Sequence, residues 1–150
     1  MRIAIASDHA AIELKARLAA WLTGEGHDVM DLGSDSGAPV DYPDQGYKLA
    51  EHIAGGRAER GVALCGSGVG ISIAVNRNPA CRCALVNEPV SAMLGREHND
   101  ANVIALGARL IGLDMAKACI AAFLATEFAG GRHAQRVEKL GAPPVPATQS

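Results

Sequence analysis

Aromatic side chains and an excess of one charge are both lacking in this sequence. Its 150 residues include one Trp, two Tyr and two Phe, and 14 Lys and Arg oppose 16 Asp and Glu, so the net charge is -2. Proteins that stack bases or clamp a nucleic-acid backbone expose more aromatic or basic side chains than this. We therefore expect no nucleic-acid partner.

Long hydrophobic runs are missing as well, although 49% of the residues are hydrophobic. No stretch of about 18 consecutive apolar residues occurs, which argues against a membrane partner. The amino end begins directly with the run from Arg2 to Ile5, without the charged leader and apolar core of a secretory signal. We expect a cytoplasmic protein with one domain over residues 1–140 and a flexible tail over 141–150.

The four cysteines do not have the spacing of a metal site. Cys81 and Cys83 lack the two-residue gap of a zinc knuckle, and no second Cys or His pair follows at a suitable distance. Thiols of a cytoplasmic protein with an ample core stay reduced. We expect no metal, and we expect Cys83 and Cys119 to be small buried hydrophobic residues.

Short apolar runs alternate along the chain with segments of helical period. Strands are predicted over 2–7, 29–32, 61–65, 82–86 and 102–106, and helices from about 11 to 24 or 26 and over about 44–54, 69–76, 89–98, 113–127 and 132–140. Parallel strands need crossover connections, so this alternation predicts a parallel sheet covered on both faces. The expected fold is a Rossmann-like three-layer α/β/α sandwich with a five-stranded parallel sheet.

The strongest local signal is CGSGVGIS at 65–72, where a thiol ends a strand and three glycines lead into a helix. Glycines let the backbone approach a ligand closely, so successive N–H groups can converge on an anion. We expect an oxyanion or phosphate site here, with a tight turn and no ligand as the alternative. Backbone amides beside Cys65 would also stabilise its thiolate as a base or nucleophile, whereas a lone Cys is more often a packing residue.

The sequence does not contain the other common phosphate-binding motifs. GxGxxG and GxxxxGK[ST] are absent, and the position six residues after the thiol, where a Cys phosphatase has Arg, holds Ile71. Dinucleotide, ATP and phosphatase chemistry are therefore disfavoured.

Several polar residues remain ambiguous by themselves. Asp8 and His9 follow the first strand, where Asp also serves as a helix N-cap. His98 follows a helical period and could be an ordinary surface residue. Arg132 and Arg136 are four residues apart on a predicted helix and would suit a phosphate dianion, or would form a solvated face neutralised by Glu138.

Five motifs taken together resemble the B-type ribose-5-phosphate isomerases, the family shared with galactose-6-phosphate and allose-6-phosphate isomerase subunits. The motifs are SDHAA at 7–11, DYPD at 41–44, CGSGVGIS at 65–72, REHNDANVIALGAR at 96–109 and GGRHAQRVEKL at 130–140. The resemblance runs in order from residue 2 to about residue 140.

The resemblance implies an aldose–ketose isomerase that interconverts ribose 5-phosphate and ribulose 5-phosphate without cofactor or metal. It implies that Cys65 moves a proton between C1 and C2 and that His98 assists ring opening. Substrate contacts are implied for Asp8, His9, Tyr42, Gly66, Ser67, Gly68, Val69, Gly70 and Asn99, and phosphate contacts for Arg109, Arg132 and Arg136. The implied assembly is a homodimer with a shared active site, and association of two dimers into a tetramer is left open. We expect His98, Asn99 and the arginines to come from the partner chain.

Two positions depart from the family pattern. Ser67 stands where many members have Thr and keeps the hydroxyl group. Ile71 stands where some members have Glu and lack the Cys, so the base is assigned to Cys65. The alternatives are an isomerase of another sugar phosphate, namely galactose 6-phosphate, allose 6-phosphate or a four-carbon sugar phosphate, and a non-catalytic sugar-phosphate-binding subunit.

Overall fold

A computed structural model describes residues 1–146 and contains one parallel sheet between two layers of helices. The strands are β1 (Arg2–Ser7), β2 (Asp28–Asp31), β3 (Arg60–Cys65), β4 (Cys83–Leu85) and β5 (Val103–Gly107). The helices are α1 (Ile12–Gly24), α2 (Tyr42–Ala54), α3 (Val69–Val75), α4 (Pro89–Asn99), α5 (Leu113–Ala125) and α6 (Arg132–Leu140). The predicted α/β/α sandwich with a five-stranded parallel sheet is confirmed.

Both faces of the sheet are buried, which is why the central strands are apolar at almost every position. Ile3 and Ile5 of β1 pack on one face with residues of α1, α4 and α5. Ala4 and Ala6, which alternate with them, pack on the other face with residues of α2 and α3. The core is therefore two apolar layers divided by the sheet.

The strands lie in the order β2-β1-β3-β5-β4. The chain adds β2 on one side of β1 and then crosses to add β3 on the other side, so the winding reverses between β1 and β3. Ligands of open α/β sheets bind at the carboxyl ends of the strands that flank such a reversal. Here β1 ends at Ser7 and β3 ends at Cys65. The strand order therefore predicts a ligand site near Asp8 and Cys65.

Element boundaries differ slightly from the predictions. Helix α2 begins at Tyr42 rather than near residue 44, because Pro43 occupies its first turn, where a missing N–H costs nothing. Strand β4 covers only residues 83–85. It lacks residue 82 because the Arg82 amide donates to the side chain of Asn102 instead of to a strand.

Cys119 is buried as expected, but Cys83 is only partly buried because β4 is an edge strand. All four thiols are free. No helix within residues 1–146 is both long and apolar enough to span a membrane. Residues 141–146 are exposed, and residues 147–150 lie outside the described part of the chain, so the predicted tail and the domain limit at 140 stay predictions.

Candidate active site

A cleft of about 330 Å³ opens at the carboxyl end of β3. Its lining includes Tyr42, Cys65, Gly66, Ser67, Gly70 and Arg109. This volume lies at the small end of the range for ligand pockets, which suits a small metabolite. The cleft brings together residues from β3, the glycine loop that follows β3, the start of α2 and the turn after β5.

Cys65 lies at the floor of the cleft, with 4% of its surface exposed. The amide N–H of Gly68 donates to its sulfur over 3.1 Å. The sulfur thus accepts a hydrogen bond from the backbone of the glycine loop inside the cleft. The contact therefore supports the sequence-based hypothesis that this sulfur is chemically active.

The remaining thiols have the opposite environment. The Cys81 sulfur donates to the Ala50 carbonyl oxygen at 3.7 Å, and burial raises the pKa of Cys81 to about 11. Burial also raises the pKa values of Cys83 and Cys119. These three thiols are protonated at neutral pH and serve packing.

The loop after Cys65 needs glycine for reasons of space and conformation. Gly68 has a φ of +78°, and a Cβ there would lie 2.7 Å from Leu85 Cδ1 and 2.9 Å from the Leu106 carbonyl carbon. A Cβ at Gly70 would lie 2.6 Å from the ring of Tyr42. The glycines thus let the loop pack closely against β5 and let the Tyr42 ring reach the cleft.

Arg109 lies in the cleft of its own chain, so the expectation that it comes from a partner is wrong. A Cβ at Gly66 would lie 3.3 Å from Arg109 Nη1. The cause is the register of the sheet: Cys65 pairs with Gly107, and the Arg109 amide then donates to the Gly66 carbonyl oxygen at 3.0 Å. The strand register therefore delivers this cation beside its own thiol.

Asp8 and His9 lie at the neighbouring end of β1. Asp8 is buried and its Oδ1 accepts from the Ala10 amide at 3.0 Å, so it does cap the following turn. The His9 ring is exposed, and its Nδ1 lies 3.1 Å from the Val40 amide nitrogen. Capping orients the Asp8 carboxylate and does not preclude a contact to a ligand.

His98 and Asn99 do not join the Cys65 cleft. They end α4, which precedes the first residue of β5, whereas Cys65 is level with the last residue, Gly107. Four steps along a strand span about 13 Å. Asn99 instead lines a second cleft, at the amino edge of the sheet, together with Cys81 and Arg82.

The His98 ring stacks on His133, with ring centroids 4.5 Å apart and ring planes 13° from parallel. Partial burial, followed by the charges of His98, Arg132 and Arg136, lowers the pKa of His133. We call these four side chains, His98, Arg132, His133 and Arg136, the basic cluster. Among residues 1–146, neither arginine of the cluster forms an ion pair with Glu138. The structure therefore does not contain the alternative, a helix face whose arginines are neutralised by Glu138.

Arg96 joins the end of α4 to the segment that precedes α6, and the sequence did not single it out. Its side chain is buried, and it donates to the carbonyl oxygens of Thr126 at 3.1 Å and Ala101 at 2.7 Å and to Asp100 Oδ1 at 2.8 Å. These bonds join the end of α4 to the chain that leads into α6. The four-residue spacing of Arg96 and Asp100 was the available signal.

Comparisons with known proteins point to one family. Residues 3–140 match the model of the family described as Ribose/Galactose Isomerase. The chain is 43% identical over 141 residues to ribose-5-phosphate isomerase B of Escherichia coli K12, covering 94% of this chain and 95% of that protein. It is 44% identical over 142 residues to D-erythrulose-4-phosphate isomerase of Pectobacterium atrosepticum, covering 94% and 93%.

The fold agrees with solved structures. Ribose-5-phosphate isomerase B of Clostridium thermocellum superimposes with a TM-score of 0.92 at 47% identity, covering 94% of this chain and 95% of that one. The enzyme of Thermotoga maritima gives a TM-score of 0.91 at 46% identity, covering 93% and 97%. With its family model, its relatives and its fold in agreement, this chain belongs to the ribose/galactose isomerase family of sugar phosphate isomerases.

Proposed function

We propose that this chain interconverts ribose 5-phosphate and ribulose 5-phosphate through an enediolate, with Cys65 as the base. The observation that carries the proposal is the sulfur of Cys65 at the floor of a small cleft, with an amide donating to it. The names of the relatives support the reaction class. The substrate itself is inferred for this chain.

The proposed step is a proton transfer between two neighbouring carbons. The Cys65 thiolate takes the proton from C2 of the open-chain aldose and returns it to C1, while the hydroxyl and carbonyl oxygens exchange a proton. Negative charge accumulates on oxygen in between, and one preorganised N–H donor at such a site lowers the barrier by about 3 kcal/mol. The amides of the loop from Gly66 to Gly70 are the proposed donors, and a positioned base adds roughly 10² to 10⁴ in rate.

The phosphate is proposed to lie between Arg109 and the arginines of the basic cluster, Arg132 and Arg136. Guanidinium groups match a phosphate dianion, and binding energy at this remote group orients the sugar over the thiol. His98 is proposed to assist ring opening. The sugar contacts proposed from the resemblance are Asp8, His9, Tyr42, Ser67, Val69 and Asn99.

The proposed active unit is a homodimer. Cys65 and His98 of one chain lie at opposite ends of β5. In a symmetric dimer, a second copy can supply its own His98 to the Cys65 cleft of the first. The edge formed by α3, β4 and α4 carries exposed apolar side chains, namely Val69, Ile73, Leu85, Val90, Met93 and Leu94. Burial of this edge between two copies would cover both the apolar side chains and the open side of β4. Association of two dimers into a tetramer stays a prediction.

The proposed location is the cytoplasm, because a catalytic thiol must stay reduced and all four cysteines are free.

A panel of phosphorylated sugars tests the substrate. Steady-state rates are measured for ribose 5-phosphate, a four-carbon ketose phosphate, galactose 6-phosphate and allose 6-phosphate. We expect the highest kcat/KM for ribose 5-phosphate. A four-carbon substrate is the second candidate, since the relative that acts on erythrulose 4-phosphate is as similar to this chain as the ribose enzyme. Absence of turnover on the whole panel would favour a non-catalytic binding subunit.

A further inference from the structure

We propose that Lys15 is a positioning residue that anchors the segment 33–41 to α1 and thereby fixes His9 and Tyr42 at the cleft. The kinetic part of this proposal rests on the function proposed above, whereas its structural part can be tested without any substrate.

The ammonium group of Lys15 is buried, with 2% of the side chain exposed. Its Nζ donates to the two carboxylate oxygens of Asp31 at 2.6 and 2.7 Å and to Asp35 Oδ1 at 2.9 Å. These bonds use all three N–H donors of the group. Burial lowers the pKa of Lys15, but the hydrogen bonds to Asp31 and Asp35 outweigh burial, so the pKa is raised and the group stays charged.

The two carboxylates belong to different parts of the chain. Asp31 ends β2, and its Oδ1 also accepts from the Gly33 amide at 2.9 Å. Asp35 lies inside the segment 33–41, and its 81% exposed side chain has Lys15 as its ion-pair partner. A buried ammonium without a partner is strongly unfavourable, and here Asp31 and Asp35 together satisfy it.

The other end of the segment reaches the cleft. Nδ1 of His9 lies 3.1 Å from the Val40 amide nitrogen and 3.2 Å from the Val40 carbonyl oxygen, so Val40 offers this ring nitrogen both a donor and an acceptor. Tyr42 follows two residues later as the first residue of α2, and its ring packs over Gly70. The His9 ring is exposed, so the contact with Val40 determines its orientation.

Lys15 therefore limits the freedom of a connection that has neither helix nor strand. A connection of nine residues ordinarily samples several conformations. Its first two residues are held to β1 by backbone hydrogen bonds of 2.9 Å that Ser7 forms with Gly33 and with Ser34. Lys15 holds the third residue, Asp35, and the last half of the segment carries Val40. Release of Asp35 would free the stretch from Asp35 to Val40 and let Val40 leave His9.

The test compares Lys15→Met and Asp35→Asn with the wild-type protein, and it uses Lys117→Met and Asp28→Asn as controls of matched chemistry. In each folded protein without substrate, hydrogen exchange of the Val40 amide and the ¹⁵N resonances of His9 are measured by NMR. We expect about tenfold faster exchange at Val40 and shifted His9 ¹⁵N resonances in the two test variants only. For ribose 5-phosphate we expect KM to rise at least threefold with kcat within about twofold.

Asp35→Asn keeps the pair of Lys15 and Asp31 intact, so it remains informative if Lys15→Met fails to fold. A purely structural role would lower the unfolding temperature of Lys15→Met and leave Val40 exchange and the His9 ¹⁵N resonances unchanged in Asp35→Asn, and that result would overturn the proposal. Absence of turnover in the wild-type protein would refute the proposed function, while the NMR measurements would still decide the role of Lys15.

Discussion

At the scale of single residues, the direction of a hydrogen bond distinguishes one thiol from the others. The sulfur of Cys65 accepts from an amide, whereas the sulfur of Cys81 donates to a carbonyl oxygen. An acceptor role is compatible with a thiolate, and a donor role requires the protonated thiol. This difference supports Cys65 as the proposed base.

Substitution of Cys65 tests this assignment. Cys65→Ala should lower kcat by about 10² or more and leave substrate affinity within a few-fold, because the thiol acts in the transition state rather than in binding. Steady-state kinetics and calorimetric titration with substrate measure the two effects. Cys119→Ala, which removes a thiol from the opposite face of the sheet, is the control. Near-normal turnover of Cys65→Ala would exclude the thiol as the base.

The lowered pKa of His133, which stacks on His98, predicts how the stability of the protein depends on pH. The pKa of His133 is lowered below 6.5 in the folded protein, so the unfolded chain takes up this proton more readily. The contribution of His133 to the free energy of unfolding is complete above about pH 6.5. It is lost as the pH falls through the lowered pKa that His133 has in the folded protein. Between pH 7.5 and 5.5 we therefore expect the unfolding temperature of the wild-type protein to fall more than that of His133→Gln. Parallel curves for the two proteins in thermal unfolding monitored by circular dichroism would contradict this coupling.

Single residues also show what the sequence could and could not reveal. The position of Cys65 was predictable because a strand end followed by alternate glycines is a local pattern. Lys15 was not, because its partners Asp31 and Asp35 lie 16 and 20 residues away, and only the packing of α1 on β2 brings them together. A lysine within a helical period is ordinarily exposed, so burial of its charge has no local signature.

At the scale of elements, α6 carries the charges that are assigned to the phosphate. Arg132 and Arg136 lie on one face of this helix, and none of its residues is buried. A charge-assisted hydrogen bond contributes roughly 1.5–3 kcal/mol, so loss of both arginines should raise KM for the phosphorylated sugar by about 10² or more. Steady-state kinetics of the double Ala variant measures this rise.

Lys139→Ala is the control on the same helix, since it removes a cation one turn beyond the pair. KM should stay within about twofold of the wild-type value in this variant. An unchanged KM in the double variant would instead assign Arg132 and Arg136 to an ordinary solvated face.

Most elements were predictable because each has its own hydrophobic period, and the misplaced boundaries have separate causes, Pro43 at α2 and the Arg82 amide at β4. β4 is shorter than predicted, and the pattern of apolar residues could not indicate that the Arg82 amide binds a side chain. Arg96 bonds to its near neighbours Asp100 and Ala101 and also to Thr126, which is 30 residues away, and no local pattern indicates that last contact. Local patterns determine which elements form, and contacts between distant segments influence where they lie.

At the scale of the whole molecule, the proposed base and the proposed ring-opening histidine lie at opposite ends of the sheet. A mixture of Cys65→Ala and His98→Asn chains tests whether two copies share a site. A hybrid dimer would contain one intact site, and random pairing would make half of all dimers hybrid. Each variant alone should be inactive, and the reassociated mixture should recover about one quarter of the wild-type activity.

Refolding the two variants together and separately provides the comparison for this experiment. If each chain formed its own complete site, the mixture would stay as inactive as its components. The measured quantity is kcat per chain on ribose 5-phosphate.

The strand order was not accessible from the sequence, although the fold class was. Alternating strands and helices require a parallel sheet, but they do not say on which side of β1 the third strand is added. That choice places Cys65 beside Asp8 and sets Gly107 level with Cys65, which in turn brings Arg109 into the same cleft. The topology thus brings motifs that are far apart in the chain together at two places in the fold.

The separation of Cys65 and His98 along β5 has a consequence for how the enzyme must be handled. If turnover needs two associated copies, the concentration of active dimer follows mass action. On serial dilution below the dissociation constant of the dimer, the rate will decline with the square of protein concentration instead of linearly.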